Sequence, residues 1–171
     1  WQPEGDRLTQ IPLHTIEKFL AHTTWPIIIR EVGQGFGPRS LAALLDLPLA
    51  ALDLAGWGGT NFTSLEARRA GRADFGLAQV GHTCEMMVQQ ICARPLGQVK
   101  NFILSGGQAN LAAAFVLHQQ LATIGASSVV ALAYPLLAAA QHSADRLQNV
   151  VQDWLHAWAA AQNYLRWRPH A

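Results

Sequence analysis

AALDLAGWGGTNF, running from Ala50 to Phe62, joins a short apolar run to a turn built from Gly56, Trp57, Gly58, Gly59 and Thr60. An apolar run of this length, closed by glycine, reads as a strand with a loop at its C-terminal end. Where side chains are missing, backbone N–H groups can approach an anion or a flat ring closely, and Thr60 sets a hydroxyl at the same place. A cofactor loop is built in this way. A glycine turn that only redirects the chain has the same composition, so the stretch takes its meaning from its neighbours.

Upstream, Ile11, Leu13, Ile16, Phe19 and Leu20 recur at helical spacing between Thr9 and Ala21, with Thr9 as a candidate cap. Pro26 then introduces Ile27, Ile28 and Ile29, a β-branched run of the kind buried on both faces of a sheet, ending in Arg30-Glu31-Val32-Gly33. Arg39 to Leu45 reads as a helix that Pro48 breaks. Downstream, the pattern predicts a helix over His82 to Cys92, a strand over Val99 to Leu104 running into Ser105-Gly106-Gly107, a helix over Leu111 to Ile124 and a strand over Ser128 to Ala133. A last helix, about Ser143 to Leu165, carries Leu147, Val150, Val151, Trp154, Leu155 and Trp158 along one face and is expected to pack outside the rest.

Strand alternates with helix four times without a hairpin signal, which argues for right-handed βαβ crossovers and a parallel sheet. Four parallel strands alone leave two raw edges. The α/β pattern is therefore better described as half of a TIM (β/α)8 barrel, and residues 1–171 as a single domain without a low-complexity linker. Barrel chemistry sits in the loops at the C-terminal strand ends, with phosphate often held after strands seven and eight. Arg30 to Gly33, Gly58-Gly59-Thr60, Ser105-Gly106-Gly107 and Ala131-Leu132-Ala133 all fall at such ends.

Composition narrows the class. The chain has 171 residues, half of them hydrophobic, with 12 basic and 11 acidic residues for a net charge of +1. Neither sign forms a long run, so no nucleic-acid partner and no membrane surface is expected. Only Lys18 and Lys100 interrupt an otherwise all-arginine basic set, a residue suited to planar, bidentate contacts. Cys84 and Cys92 lie too far apart along one helix to pair, which fits a reduced, cytoplasmic setting. No signal peptide and no membrane-length apolar run is visible in these residues. The opening WQPEGDR reads as a loop from the inside of a longer protein.

Taken in order, QPEGDR, PIIIREVGQGFGP, GWGGTNF with Leu65-Glu66, VGHT with Glu85-Met86, and NFILSGG resemble the type 2, FMN-dependent isopentenyl-diphosphate isomerases over almost the whole chain. The resemblance implies strands five to eight of an FMN-binding barrel, its C-terminal half. Arg30 matches a lysine that lies near the N1 and C2 carbonyl side of the flavin. Thr60, in its turn with Gly58 and Gly59, would contact FMN, and Gly106, Gly107 and Ala131, Leu132, Ala133 would offer N–H groups to its phosphate. The implied reaction interconverts isopentenyl diphosphate and dimethylallyl diphosphate with reduced FMN, NADPH or another reductant, and Mg2+ bound by residues upstream of Trp1. A homo-oligomer is implied as well.

The chain departs from the family at three places. Arginine replaces lysine at Arg30, Ala55 stands where serine is usual, and Gln108-Ala109-Asn110 replaces an Ile-Arg type of continuation after Gly107. An alternative reading follows, an impaired or truncated relative that binds a phosphate-bearing ligand without turnover. No catalytic residue and no metal ligand is assigned within this chain. Arg30 is either a flavin contact or the partner of a carboxylate; Glu31 is expected to pair with Arg30, and His82 to cap a helix rather than ligate. Trp57 either covers a ligand or fills the barrel top. The other histidines have no metal-site spacing, and the cysteines lack a neighbouring base, which argues against nucleophilic catalysis.

Overall fold

A computed structural model describes residues 11–95, 97–99, 101–108, 110–121, 126–128 and 133–166, with side chains described for all of these except 126–128, 165 and 166. Its elements run α1 (Pro12–His22), β1 (Ile28–Arg30), α2 (Pro38–Leu45), β2 (Ala51–Asp53), α3 (Phe62–Arg69), a 3₁₀ turn (Leu77–Gln79), α4 (Cys84–Cys92), β3 (Phe102–Leu104), α5 (Leu111–Gln120), β4 (Ala126–Ser128), α6 (Ala133–His142) and α7 (Ala144–Arg166). The four strands form one parallel sheet in the order β1-β2-β3-β4. Chain order equals spatial order, as expected when each strand returns through a helical crossover.

Side chains along a strand alternate between faces. Ile27, Ile29, Leu52, Leu54, Phe102 and Leu104 all join the main core, together with Leu13, Ile16 and Leu20 of α1, Leu41, Leu44 and Leu45 of α2, Met87, Val88 and Ile91 of α4, and Leu117 of α5. The alternate set, Ile28, Arg30, Ala51, Asp53 and Ile103, lies on the opposite face. Among the described residues, the helices that build this core therefore cover one face of the sheet, whereas open parallel sheets ordinarily carry helices on both.

β1 is an edge strand with Ile28 55% exposed, so the expectation of burial on both faces is not met there. β4 begins at Ala126, two residues before the expected start at Ser128, and residues 129–132 of the expected strand lie outside the described residues. Ala133, expected at a strand end, is the exposed first residue of α6, while Ala131 and Leu132 lie outside the described residues. Thr9 also lies outside them; α1 begins with Pro12, whose missing N–H costs nothing in a first turn. Two helices lacked a sequence signal, α3 and α6.

α7 packs against α5 and α6. Leu147, Val150, Trp154 and Trp158 are half-buried, but Val151 and Leu155 of the expected stripe face outward. Trp158 meets Phe115 of α5 edge to face, with ring centroids 4.3 Å apart. Cys84 is buried and Cys92 exposed, both unpaired as expected. Among the described residues no helix is long and apolar enough to cross a membrane.

Candidate functional site

The C-terminal ends of β1, β2 and β3 open on one cleft of about 440 Å³, bordered by Arg30, Ala55, Gly59, Thr60, Ser105, Gly106 and Gly107 among others. Of the residues expected from sequence to hold a ligand, Arg30, Gly59, Thr60, Gly106 and Gly107 meet here. Gly58 is not among the residues lining the cleft, although it abuts Gly107. Ala133 is not among the residues lining the cleft.

The rim is made by two loops touching backbone to backbone. A Cβ on Gly59 would lie 3.1 Å from the nitrogen of Gly107, and one on Gly58 would lie 3.2 Å from the Cα of Gly107. Gly58, Gly106 and Gly107 all hold positive φ, at 115°, 78° and 67°. Glycine is thus required both by conformation and by space. Gly56 N–H donates to Ser105 O at 2.7 Å and locks the two loops together. Among the described residues, no acceptor is recorded for the N–H groups of Gly58, Gly59, Thr60, Gly106 or Gly107. A row of backbone donors without internal partners beside a cavity is a cradle for an anion or for carbonyl oxygens.

Below the rim lies a polar cluster. Asp53 and Ser105 are the buried polar side chains among the described residues, at 6% and 4% exposure. Ser105 Oγ donates a short hydrogen bond to Asp53 Oδ1. The same oxygen accepts from the Ala55 N–H at 3.3 Å, and Arg30 Nε sits 3.4 Å from Asp53 Oδ2. Parallel register explains the meeting: Arg30 pairs with Asp53 and Asp53 with Ile103, so Arg30 and Asp53 share one level of the sheet and Ser105 follows two residues past Ile103. The Asp53 to Ala55 bond closes an Asx turn and accompanies the left-handed backbone of Ala55, at φ 40°.

Arg30 is the partner of a carboxylate, and it also borders the cleft. That carboxylate is Asp53, not Glu31. Glu31 Oε2 instead accepts from the N–H groups of Gly33, Gln34 and Gly35, each at 2.7 Å, and so shapes the loop after β1. His82 does not cap α4; Thr83 does, accepting from Met86 N–H at 3.3 Å. The backbone of His82 ties two loops, donating to Gln34 O and accepting from Trp57 N–H. Trp57 has a structural task, its Nε1 donating to Ala78 O at 3.0 Å.

Asp53 escaped the sequence reading, although a signal existed. It is the single charged residue between Asp46 and Glu66, set inside an apolar strand just before the glycine turn. Such a charge must be paired once buried.

A second cavity of about 270 Å³ lies behind the rim, lined by Trp57, Cys84, Gln108, Asn110 and Leu117 among others. The Cys84 thiol donates to Ser105 O at 2.9 Å. Burial pushes its pKa up, outweighing hydrogen bonds involving Gly56 and Gln108, so the thiolate is disfavoured. Among the described residues no group of three or more His, Cys, Asp or Glu side chains is placed to hold a metal.

With this geometry in hand, sequence comparison identifies relatives. The chain is 31% identical over 153 residues to a protein of Moorella thermoacetica named isopentenyl-diphosphate delta-isomerase, covering 89% of the chain and 42% of that relative. A Bacillus cereus protein of the same name is 40% identical over 70 residues, covering 41% of the chain and 20% of the relative. One from Bacillus mycoides is 39% identical over 70 residues. The chain thus spans about two fifths of the length of the first of these relatives. No protein-family profile matches it.

Proposed function

We propose that this chain is the C-terminal portion of a type 2 isopentenyl-diphosphate isomerase, supplying strands five to eight of a barrel and part of its FMN site. The parent protein would interconvert isopentenyl and dimethylallyl diphosphate in the cytoplasm, as a homo-oligomer. The observation that carries this reading is the cleft of about 440 Å³, in which Arg30, Thr60 and the bare glycine rim converge at strand C-terminal ends, in a chain similar to proteins named isopentenyl-diphosphate delta-isomerase. Among the described residues the core helices cover one sheet face only, which supports the barrel reading, since the inward face of one arc meets its counterpart only on closure.

The cleft suits a flavin. Its glycine rim leaves no room for side chains, and Arg30 is the one cation among the described residues that line it. Reduced FMN, when bound, supplies the proton transfers of the isomerisation. Arg30 would supply positive charge to offset the negative charge that the ring gains on reduction. The Thr60 hydroxyl and the N–H groups of Gly59, Gly106 and Gly107 would hold the ring or the phosphate. Mg2+ for the diphosphate would be held by residues that precede Trp1, and NADPH or another donor would keep FMN reduced.

A second reading is an impaired relative that binds a phosphate-bearing ligand without turnover; Arg30 and Ala55, at positions where the family carries lysine and serine, favour it. The test is to purify the full encoded protein, with everything that precedes Trp1, and add FMN, reductant, Mg2+ and isopentenyl diphosphate. Dimethylallyl diphosphate forms if the first reading holds. FMN binding without product selects the second, and absence of both sinks the two together.

A further inference from the structure

We infer that Asp53 is a positioning residue of the cleft, holding Arg30 by its Nε so that the two terminal nitrogens form a fork toward a planar anionic edge. The chemistry starts from cost. A buried carboxylate paired with arginine adds little stability over an apolar pair of similar volume, so its presence in an apolar strand calls for another role. Asp53 has three partners: Oδ1 accepts from Ser105 Oγ and the Ala55 N–H, and Oδ2 is ion-paired with Arg30 Nε at 3.4 Å. The first two fix the carboxylate itself.

The third acts outward. The Arg30 side chain is 69% exposed, which would leave it free to swing across many rotamers without a tether. The ion pair at Nε limits that swing, and the guanidinium itself is rigid and flat. Among the described residues no acceptor is recorded for its terminal nitrogens, and Arg30 borders the cleft. Two parallel N–H donors match a planar group with two adjacent acceptors, which a lysine cannot do as a point charge. The N1 and C2 carbonyl edge of a reduced flavin is such a group; this choice of ligand rests on the proposed function, whereas the pairing does not.

The experiment uses the full encoded protein labelled with 15N-arginine. The Arg30 Nε–H signal, assigned by its loss in Arg30→Gln, exchanges with water at least about tenfold more slowly than exposed arginines, and Asp53→Asn removes that protection. In parallel, FMN is titrated against the parent, Asp53→Asn, Arg30→Gln and the double variant. Each single substitution weakens binding roughly tenfold, the order expected for one charge-assisted contact, and the double variant is no weaker than Arg30→Gln. Fast Nε–H exchange in the parent overturns the inference, as does an Asp53→Asn loss that persists undiminished beside Arg30→Gln. If Asp53→Asn does not fold, Arg30→Lys decides: FMN affinity equal to that of the parent overturns the fork, and several-fold weaker binding supports it. Slow exchange without any FMN binding supports the pairing and sinks the flavin reading.

Discussion

A Cβ added to Gly106 would lie 2.2 Å from the carbonyl oxygen of Gly56, so the loops after β2 and β3 close on each other with no room for even a methyl group. The same atom would also lie 2.6 Å from Gly56 N, and the backbone of Gly106 sits at φ +78°. Gly106→Ala must therefore push two loops apart as well as strain one residue. It is expected to lose about 3 kcal/mol of stability, measured by urea unfolding, and to abolish FMN binding. Gly71→Ala is the control. Gly71 has φ +62° at the end of α3 but nothing within 4 Å of an added Cβ, so only the conformational cost of about 1 kcal/mol remains. Equal losses in the two variants would show that the loop contact carries no energy.

Ala55 holds the other side of this junction in a left-handed conformation, φ 40°, while 3% exposed. Replacing it with glycine relieves about 1 kcal/mol of backbone strain and removes a buried methyl of similar value, so Ala55→Gly should unfold within about 1 kcal/mol of the parent. Ala55→Val combines a β-branched side chain with positive φ and overfills the site, and should lose more than about 2 kcal/mol. Denaturant midpoints of the pair check this. A valine variant as stable as the glycine one would mean that the turn is relaxed.

Much of this architecture could be read from residue order, and the misses have physical causes. β2 and β3 were legible because Leu52, Leu54, Phe102 and Leu104 are fully buried in the core, and turn glycines follow each strand. β1 looked the same in sequence, yet Ile28 is exposed, because strand composition does not say whether a strand ends up at an edge. α3, FTSLEARR, has no apolar stripe; Asn61 starts it by accepting from Ser64 N–H at 2.9 Å. The apolar run around Ala133 read as strand when the helix α6 starts there, an ambiguity that short apolar runs always carry. Arg30, Thr60 and the glycines of the cleft were found from their place at strand ends. Asp53 was not, since its role depends on register with Arg30 and contact with Ser105, neither of which is local in sequence.

Two adjacent methionines separate core from surface. Met87 is fully buried, and its Sδ accepts from the Phe36 N–H at 3.2 Å, whereas Met86 is 43% exposed. Met87→Ala removes packing and leaves a buried donor unpaired, for an expected loss of about 3 kcal/mol or more. Met86→Ala should change stability by less than about 0.5 kcal/mol. Urea unfolding of both variants is the measurement, and comparable losses would contradict the assignment of α4's inner face.

Cys84 links the fold to pH. Burial raises its folded pKa above the usual thiol value of 9.0, so the unfolded chain releases this proton first as pH rises. Between 9.0 and the folded value the native state binds more protons than the unfolded one, and the slope of stability against pH is negative there. The contribution is complete below the unfolded value and is lost as pH climbs through the folded one. Other groups titrate in this range, so the quantity to follow is the difference between the parent and Cys84→Ala. That difference should be flat up to about pH 8.5 and then narrow in favour of the variant as the solution becomes more alkaline. Alkylation gives an independent check: near neutral pH iodoacetamide should modify exposed Cys92 well before buried Cys84, as read by peptide mass spectrometry. Preferential labelling of Cys84 would mean that the thiol is ionised in the folded protein and that burial does not govern it.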